Sequence, residues 1–337
     1  MKLKSKLMGA VAGVAMLSGA QAVMAAGHGG EITVAYFLEW PMPFQFAKVN
    51  GTYEEALGAK INWVSFDSGT AMSAAMASGD VQIAVSQGVP PFVVATSGGQ
   101  DIQIVDVAVS YSENDNCVVA SGLEIDKNSA SELAGKKVAV PLGTAAHYGF
   151  LKQMSHFGVD VASMSVVDMA PAEGAAALSQ GAVDMACGWG GALRRMKESG
   201  NILLTGAEKE ALGILVFDVT SAPADFVAED GEMLAKFLKV TADANATWNA
   251  GGDAAKAMLP VIAKDAGMDE QATAETMAGF TFPSIDEQLS GKWLGGGSQD
   301  FMGGVAKVFV DSGSIDGALD SYGGTVNTGP LTAAKGM

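Results

Sequence analysis

The feature that most constrains this chain is an alternation. Short β-rich apolar runs are each followed by an Ala- and Gly-rich amphipathic stretch, in one series up to residue 109 and in another from residue 116 to Trp189. Strands that recur only after a helix has passed need crossover connections, and these build parallel α/β sheets covered by helices. In the first series, strands are expected over 32–37, 60–66, 81–85 and 104–109. Helices are expected over 51–57, up to Ala77, and after the turn Gln87-Gly88-Val89-Pro90-Pro91. The second series predicts strands over 116–121, 138–141, 165–169 and 183–187, with helices through His156 and over 171–180. Residues 214–220 read as a returning strand. Residues 230–330 read as mostly helical, interrupted at Gly295-Gly296-Gly297. No period of 20 to 50 residues repeats.

The polar stretch Ser112-Glu113-Asn114-Asp115 suits a passage from one series to the other, and the returning strand brings the chain back. Some 310 residues are too many for one core (about 250–300 is the usual limit). Two α/β lobes joined by a double-crossing hinge follow, with a cleft where ligands settle at the carboxyl ends of strands. The expected division is 1–25 as a signal segment, 26–115 and 220–337 as lobe I, and 116–219 as lobe II.

The N-terminus carries the marks of export. Lys2, Lys4 and Lys6 precede an apolar stretch from Leu7 to Leu17, and Ala20-Gln21-Ala22 and Val23-Met24-Ala25 offer small-residue cleavage sites. That apolar run falls short of the roughly 20 residues that span a bilayer, and no cysteine stands at the cleavage site to take a lipid. Cleavage removes three positive charges, so the net charge goes from −17 to −20. Such a surface repels nucleic acid and anionic lipid. A soluble, monomeric periplasmic protein is expected.

Cys117 and Cys187 are the only cysteines. In an oxidising compartment they form either a disulfide or two buried thiols, and spacing alone does not decide. A C-x-x-C pair is absent, which disfavours redox catalysis. The three histidines, His28, His147 and His156, make no H-x-x-H or H-x-x-x-H pair. No metal and no cofactor are expected. P-loop, G-x-G-x-x-G, G-x-S-x-G and HExxH patterns are missing too, so the chain is expected not to be an enzyme.

Only two basic residues are arginines, Arg194 and Arg195. They follow Trp189 by about one and a half helical turns and are expected to point away from the cleft. Arginine is the usual grip for a carboxylate or phosphate, so an anionic group here must be held by other donors. Three strand-to-helix turns offer them: Asp67-Ser68-Gly69-Thr70, Gln87-Gly88, and Gly143-Thr144-Ala145. Each aims backbone N–H groups and a helix dipole toward the cleft. Ordinary capping accounts for any one such turn; three at matching points of successive βα units say more.

Asp218 interrupts the apolar run Ile214-Leu215-Val216-Phe217-Asp218-Val219. A buried carboxylate there needs a partner, either a ligand ammonium or a hinge salt bridge. Glu39 is a second candidate carboxylate, near the aromatics Tyr36, Trp40 and Phe44. Trp40 and Trp189, at strand ends, are candidate walls for a ligand. Trp63, Trp248 and Trp293 read as packing, and Met72 and Met76 as core filler. His147, in the first turn of a helix, is a candidate donor or a structural histidine.

Several segments carry a family likeness: Phe66-Asp67-Ser68-Gly69, Ala77-Ser78-Gly79-Asp80-Val81-Gln82-Ile83, Gly135-Lys136-Lys137-Val138-Ala139-Val140-Pro141, His147-Tyr148 and Trp189. Over roughly 31–325 the chain resembles the periplasmic taurine-binding receptors of the nitrate, sulfonate and taurine class of ABC importers. That resemblance implies a type II periplasmic binding fold and delivery of a captured solute to an inner-membrane permease. It also implies that Ser68-Gly69, Gln87-Gly88 and Thr144-Ala145 meet a sulfonate, that Asp218 meets an ammonium, and that Trp189 lines the cavity. The segment 37–43 and the pair Cys187-Gly188 depart from familiar relatives beside the presumed pocket. A different small zwitterion or organosulfonate, a signalling receptor, and an enzyme on the same fold are the alternatives.

Overall fold

A computed structural model describes residues 30–337; the expected signal segment lies outside them. Two sheets organise the molecule. The first has the order β11-β4-β10-β3-β1-β2, formed by β1 (Glu31–Phe37), β2 (Lys60–Phe66), β3 (Ile83–Gly88), β4 (Ile102–Tyr111), β10 (Phe217–Pro223) and β11 (Phe280–Thr281). The second has the order β7-β6-β8-β5-β9, from β5 (Asp115–Ala120), β6 (Lys137–Val140), β7 (Ser165–Asp168), β8 (Met185–Trp189) and β9 (Gly200–Ile202).

The expectation of parallel sheets needs correction at the crossings. Strands β1, β2 and β3 pair in parallel, as do β6, β7 and β8. The strand that enters each sheet from the other lobe runs against them: β10 is antiparallel to β3 and β4, and β5 is antiparallel to β8 and β9. The chain leaves the first sheet after Tyr111 and enters the second at Asp115; it returns between Ile202 and Phe217. Phe217, Asp218 and Val219 thus lie in the first sheet. The return strand starts three residues later than expected, at Phe217, although Val216 O already accepts from Tyr111 N at 3.0 Å.

Helices α1 (Phe44–Val49), α2 (Thr52–Leu57), α3 (Gly69–Ala77) and α4 (Val89–Ser97) belong with the first sheet. Helices α5 (Ala145–Phe157), α6 (Pro171–Ser179) and α7 (Gly190–Lys197) belong with the second, and α8 (Gly206–Ala211) lies on the return crossing. The two crossings are tied together by polar bonds. Glu113 Oε1 accepts from Gly206 N at 2.8 Å, Asn116 Nδ2 donates to Leu204 O at 2.8 Å, and the buried Lys209 ammonium donates to the Asp115 carbonyl.

The C-terminal helices are α9 (Ala224–Glu229), α10 (Gly231–Ala250), α11 (Gly252–Ala266), α12 (Glu270–Ala278), α13 (Ile285–Gln288), α14 (Gly297–Asp311) and α15 (Gly329–Lys335). Most pack on the first lobe, but α14 spans the cleft, packing on α4 and α5. Trp63 sits in an aromatic stack with Phe44, Tyr53 and Phe237, and Trp293 packs on Phe217, so both serve the core. Met72 and Met76 are buried there too. Cys117 and Cys187 face each other across β5 and β8 and form a disulfide.

Candidate functional site

A small cavity lies between the two sheets. Seven of the residues singled out from the sequence line it: Trp40, Gly69, Gly88, Thr144, Ala145, Trp189 and Asp218. Phe37, Pro91 and Tyr111 complete the lining.

Part of the lining is a carboxyl group. Asp218 is 2% exposed and sits in β10 opposite Gly88. Its partners are neutral hydroxyls: Tyr111 Oη donates to Oδ1 at 2.6 Å, and Ser86 Oγ donates to Oδ2 at 2.7 Å. Ser86 in turn accepts from Trp40 Nε1 at 2.9 Å. Ser86 has a left-handed backbone (φ 61°), an uncommon state for a residue with a side chain and one that gathers at functional sites. Burial disfavours the charged carboxylate and pushes the Asp218 pKa up to about 7; the two hydroxyl bonds oppose this, and the Asp115 charge adds to it. Among the described residues no ion pair reaches this carboxylate, and its hydrogen bonds come from hydroxyls.

Helix starts line the same cavity. Ser68 Oγ caps α3 by accepting from Ala71 N at 3.2 Å, and Thr144 Oγ1 caps α5 by accepting from His147 N at 3.4 Å. Helical geometry leaves the N–H groups of Gly69, Thr70, Ala145 and Ala146 without intrahelical acceptors. These donors and the two dipoles attract an anionic group. Helix α4 contributes less than its position suggests, since Pro90 and Pro91 in its first turn have no N–H. Helix α7 contributes none from its first two residues: Gly190 N donates to Asn114 O at 3.1 Å and Gly191 N to Glu39 O at 3.3 Å. Gly69 has a steric reason as well, because a Cβ there would stand 2.6 Å from Pro91 Cγ.

Aromatic rings line the cavity as well. Trp40 meets Tyr111 edge-on at 4.8 Å between centroids, and Phe37 meets Trp189 at 6.1 Å.

Four singled-out residues do not line this cavity. Gln87 lies behind it: its amide donates to Gly69 O at 2.9 Å and Ser73 Oγ at 2.6 Å and accepts from Ser221 Oγ at 2.6 Å, locking α3 to the sheet. Ser68 faces a neighbouring groove with Asp67 and Asp168. His147 stacks on Phe309 of α14 at 5.3 Å, and its Nδ1 accepts from Gly143 N at 3.1 Å. Burial pushes its pKa down to about 4, against the pull of Asp168, so the ring is neutral at pH 7. Glu39 stands outside the inner cavity and binds Arg195 through both oxygens, at 2.8 and 2.9 Å. The expectation that Arg195 points away is therefore corrected. Helix α7 opens at Gly190, so Arg195 falls one turn beyond Gly191 on the same face, and Gly191 faces Glu39.

The sequence reading missed Phe37, Ser86, Pro91 and Tyr111. Phe37 and Tyr111 end strands β1 and β4, the position that carried Trp189, and that signal was available.

The pattern of one known family, described as NMT1/THI5 like, matches residues 41–255, well over half of the chain. The chain belongs to the NMT1/THI5-like family. Within curated proteins it is similar to the taurine-binding periplasmic protein of Escherichia coli K12, 27% identical over 284 residues, which cover 83% of this chain and 84% of that protein. Among solved structures it resembles the periplasmic aliphatic sulphonate binding protein SsuA from Escherichia coli, with a TM-score of 0.68 and 19% identity over 86% of this chain and 95% of that one. The alkanesulfonate-binding protein SsuA from Xanthomonas axonopodis pv. citri bound to MOPS gives the same TM-score, 0.68, and 19% identity, over 84% and 93%. This NMT1/THI5-like protein thus has the fold of periplasmic binding proteins. Among the described residues no helix is long and apolar enough to cross a membrane, and no cluster of three His, Cys, Asp or Glu side chains is arranged to hold a metal ion.

Proposed function

We propose that this protein is the solute-binding component of an ABC importer, exported to the periplasm, and that it captures taurine in the cleft between its lobes. The observation that carries this reading is Asp218, a buried carboxylate whose partners are hydroxyls, lining the same small cavity as the α3 and α5 starts. Taurine is a zwitterion with no net charge. Its sulfonate spreads one charge over three oxygens, which several N–H donors satisfy without an arginine, while its ammonium neutralises Asp218. The likeness to a taurine-binding periplasmic protein supports the same ligand. An α-amino acid carries a carboxylate, for which arginine is the usual grip, and no arginine lines this cavity.

Ligand contacts from both lobes are complete only when the cleft is shut, so binding shifts the protein toward a closed form that a permease reads. No step in this function needs catalysis, a cofactor or a second subunit.

Titration calorimetry with taurine and ethanesulfonate tests the reading. Taurine binds tightly, and ethanesulfonate, which lacks the ammonium, binds at least tenfold more weakly, about 1.4 kcal/mol. Equal affinities, or no response to either, reject it. A second reading rests on the wall of Trp40, Tyr111 and Trp189: aromatic faces bind methylated ammonium groups, so a betaine belongs in the same panel.

A further inference from the structure

Arg195 is one of only two arginines in the chain, and it reaches across the mouth of the cleft. It stands on α7 of the second lobe. Nη1 donates to Glu39 Oε1 at 2.8 Å and Nη2 to Oε2 at 2.9 Å, a parallel two-bond grip. Glu39 stands on the loop after β1 of the first lobe. That loop is shaped for the meeting. Glu39 has a left-handed φ of 54°, and its N–H is anchored to Ala266 O of α11 at 2.8 Å. A Cβ on Gly190 would stand 2.5 Å from Glu39 O, and one on Gly191 would stand 2.9 Å from Oε2. Only two glycines let the α7 start approach this closely.

The pair also sits at a particular place. Phe37 and Trp189 border both the inner cavity and the larger outer one where Glu39 and Arg195 stand. The contact therefore lines the outer cavity that adjoins the inner one.

We propose that Glu39 and Arg195 form an interlobe clasp, a pair of positioning residues that sets affinity by favouring the closed form without touching the ligand. This rests on the reading of the inner cavity as the ligand site. A contact made only when the lobes meet shifts the open–closed balance whatever solute is inside. The side chains are 38% and 36% exposed, so salt weakens the clasp. Binding of a ligand with no net charge then becomes salt-dependent.

The test combines small-angle X-ray scattering of the unliganded mature protein with taurine calorimetry, for wild type, Arg195→Ala, Glu39→Gln and the double variant. Expected are a larger radius of gyration in each variant and an affinity loss of about fivefold. The double variant loses no more than either single one, and the order of preference among ligands is kept. Raising ionic strength from about 0.01 to 1 M shortens screening from roughly 30 to 3 Å; it weakens wild-type binding and leaves Arg195→Ala unchanged. Unaltered scattering and affinity overturn the clasp. So do additive losses, or a changed ligand order, which makes these residues ligand contacts. If wild type ignores taurine, the taurine reading fails by itself, and the scattering of the unliganded variants still decides the clasp.

Discussion

The floor and the mouth of the cleft each hold a carboxylate, and the protein treats the two in opposite ways. At the mouth, Glu39 is half-exposed and matched by Arg195 in two bonds. On the floor, Asp218 is buried with two neutral donors and a pKa near 7. The matched carboxylate is spent on joining one lobe to the other. The unmatched one costs stability, and a cation from outside removes that cost. A charge that the fold leaves uncompensated in its interior is therefore better evidence of a ligand than a charge at a rim.

The largest expected effect comes from removing the floor carboxylate. Asp218→Ala should weaken taurine binding by about tenfold to a hundredfold, since a hydrogen bond to a charged group contributes about 1.5–3 kcal/mol. The unliganded protein should move the other way. Loss of a buried carboxylate without a counter-charge raises its melting temperature at pH 8 in Asp218→Asn, which keeps polar partners for Tyr111 and Ser86, whereas Asp218→Ala strands those two hydroxyls and gains less. Calorimetry and thermal melts together check this. A variant that loses both affinity and stability breaks the contrast between floor and mouth.

Acid should act on the floor alone. Binding an ammonium requires ionised Asp218, so protons compete with taurine below about pH 7. At pH 5 the apparent affinity should fall by tens-fold, up to about a hundredfold. Stability without ligand has the opposite slope. Asp218 is raised to about 7, and Asp106 and Asp115 to about 6, each chiefly by burial. A raised folded pKa means that the native state holds more protons than the unfolded chain. Stability from these three groups is full below the ordinary carboxylate range and is lost as pH rises through about 6 to 7. Melting temperatures of the unliganded protein across pH 5 to 8, beside those with saturating taurine, read both slopes. Parallel slopes contradict the assignment.

Much of this contrast was legible in the residues, for identifiable reasons. A lone Asp within an apolar strand stands out, because its burial demands a partner wherever the strand lies. Gly69, Gly88, Thr144 and Ala145 stand at strand ends or in the turns that follow them, and βα turns gather at the carboxyl edge of a sheet. What the chain did not disclose depends on register and on contacts across the lobes. Gln87 and Ser86 are neighbours; a strand aims successive side chains to opposite faces, and the left-handed step at Ser86 decides which reaches Asp218. Tyr111 reaches Asp218 only because β10 is inserted beside β4, 107 positions later in sequence. Glu39 and Arg195 are 156 apart, and nothing local to either announces the other. His147 reads as a donor in a first turn, but α14 covers it with Phe309, and that helix lies far along the chain.

The smallest expected effect is also the finest probe of the floor. Tyr111→Phe removes one of the two donors to Asp218 and keeps the ring that packs on Trp40. A donor to a carboxylate favours its charged form, so its loss raises the Asp218 pKa further. Such a bond is stronger to the charged than to the neutral form by about 1 kcal/mol, equivalent to roughly 0.7 of a pH unit. The midpoint of the pH dependence of taurine binding should therefore move upward by about that amount, while affinity at pH 9, where the carboxylate is ionised in both proteins, changes only a few-fold. A midpoint that stays in place, with affinity lost equally at every pH, makes Tyr111 a wall of the cavity and leaves Ser86 as the donor that tunes its floor.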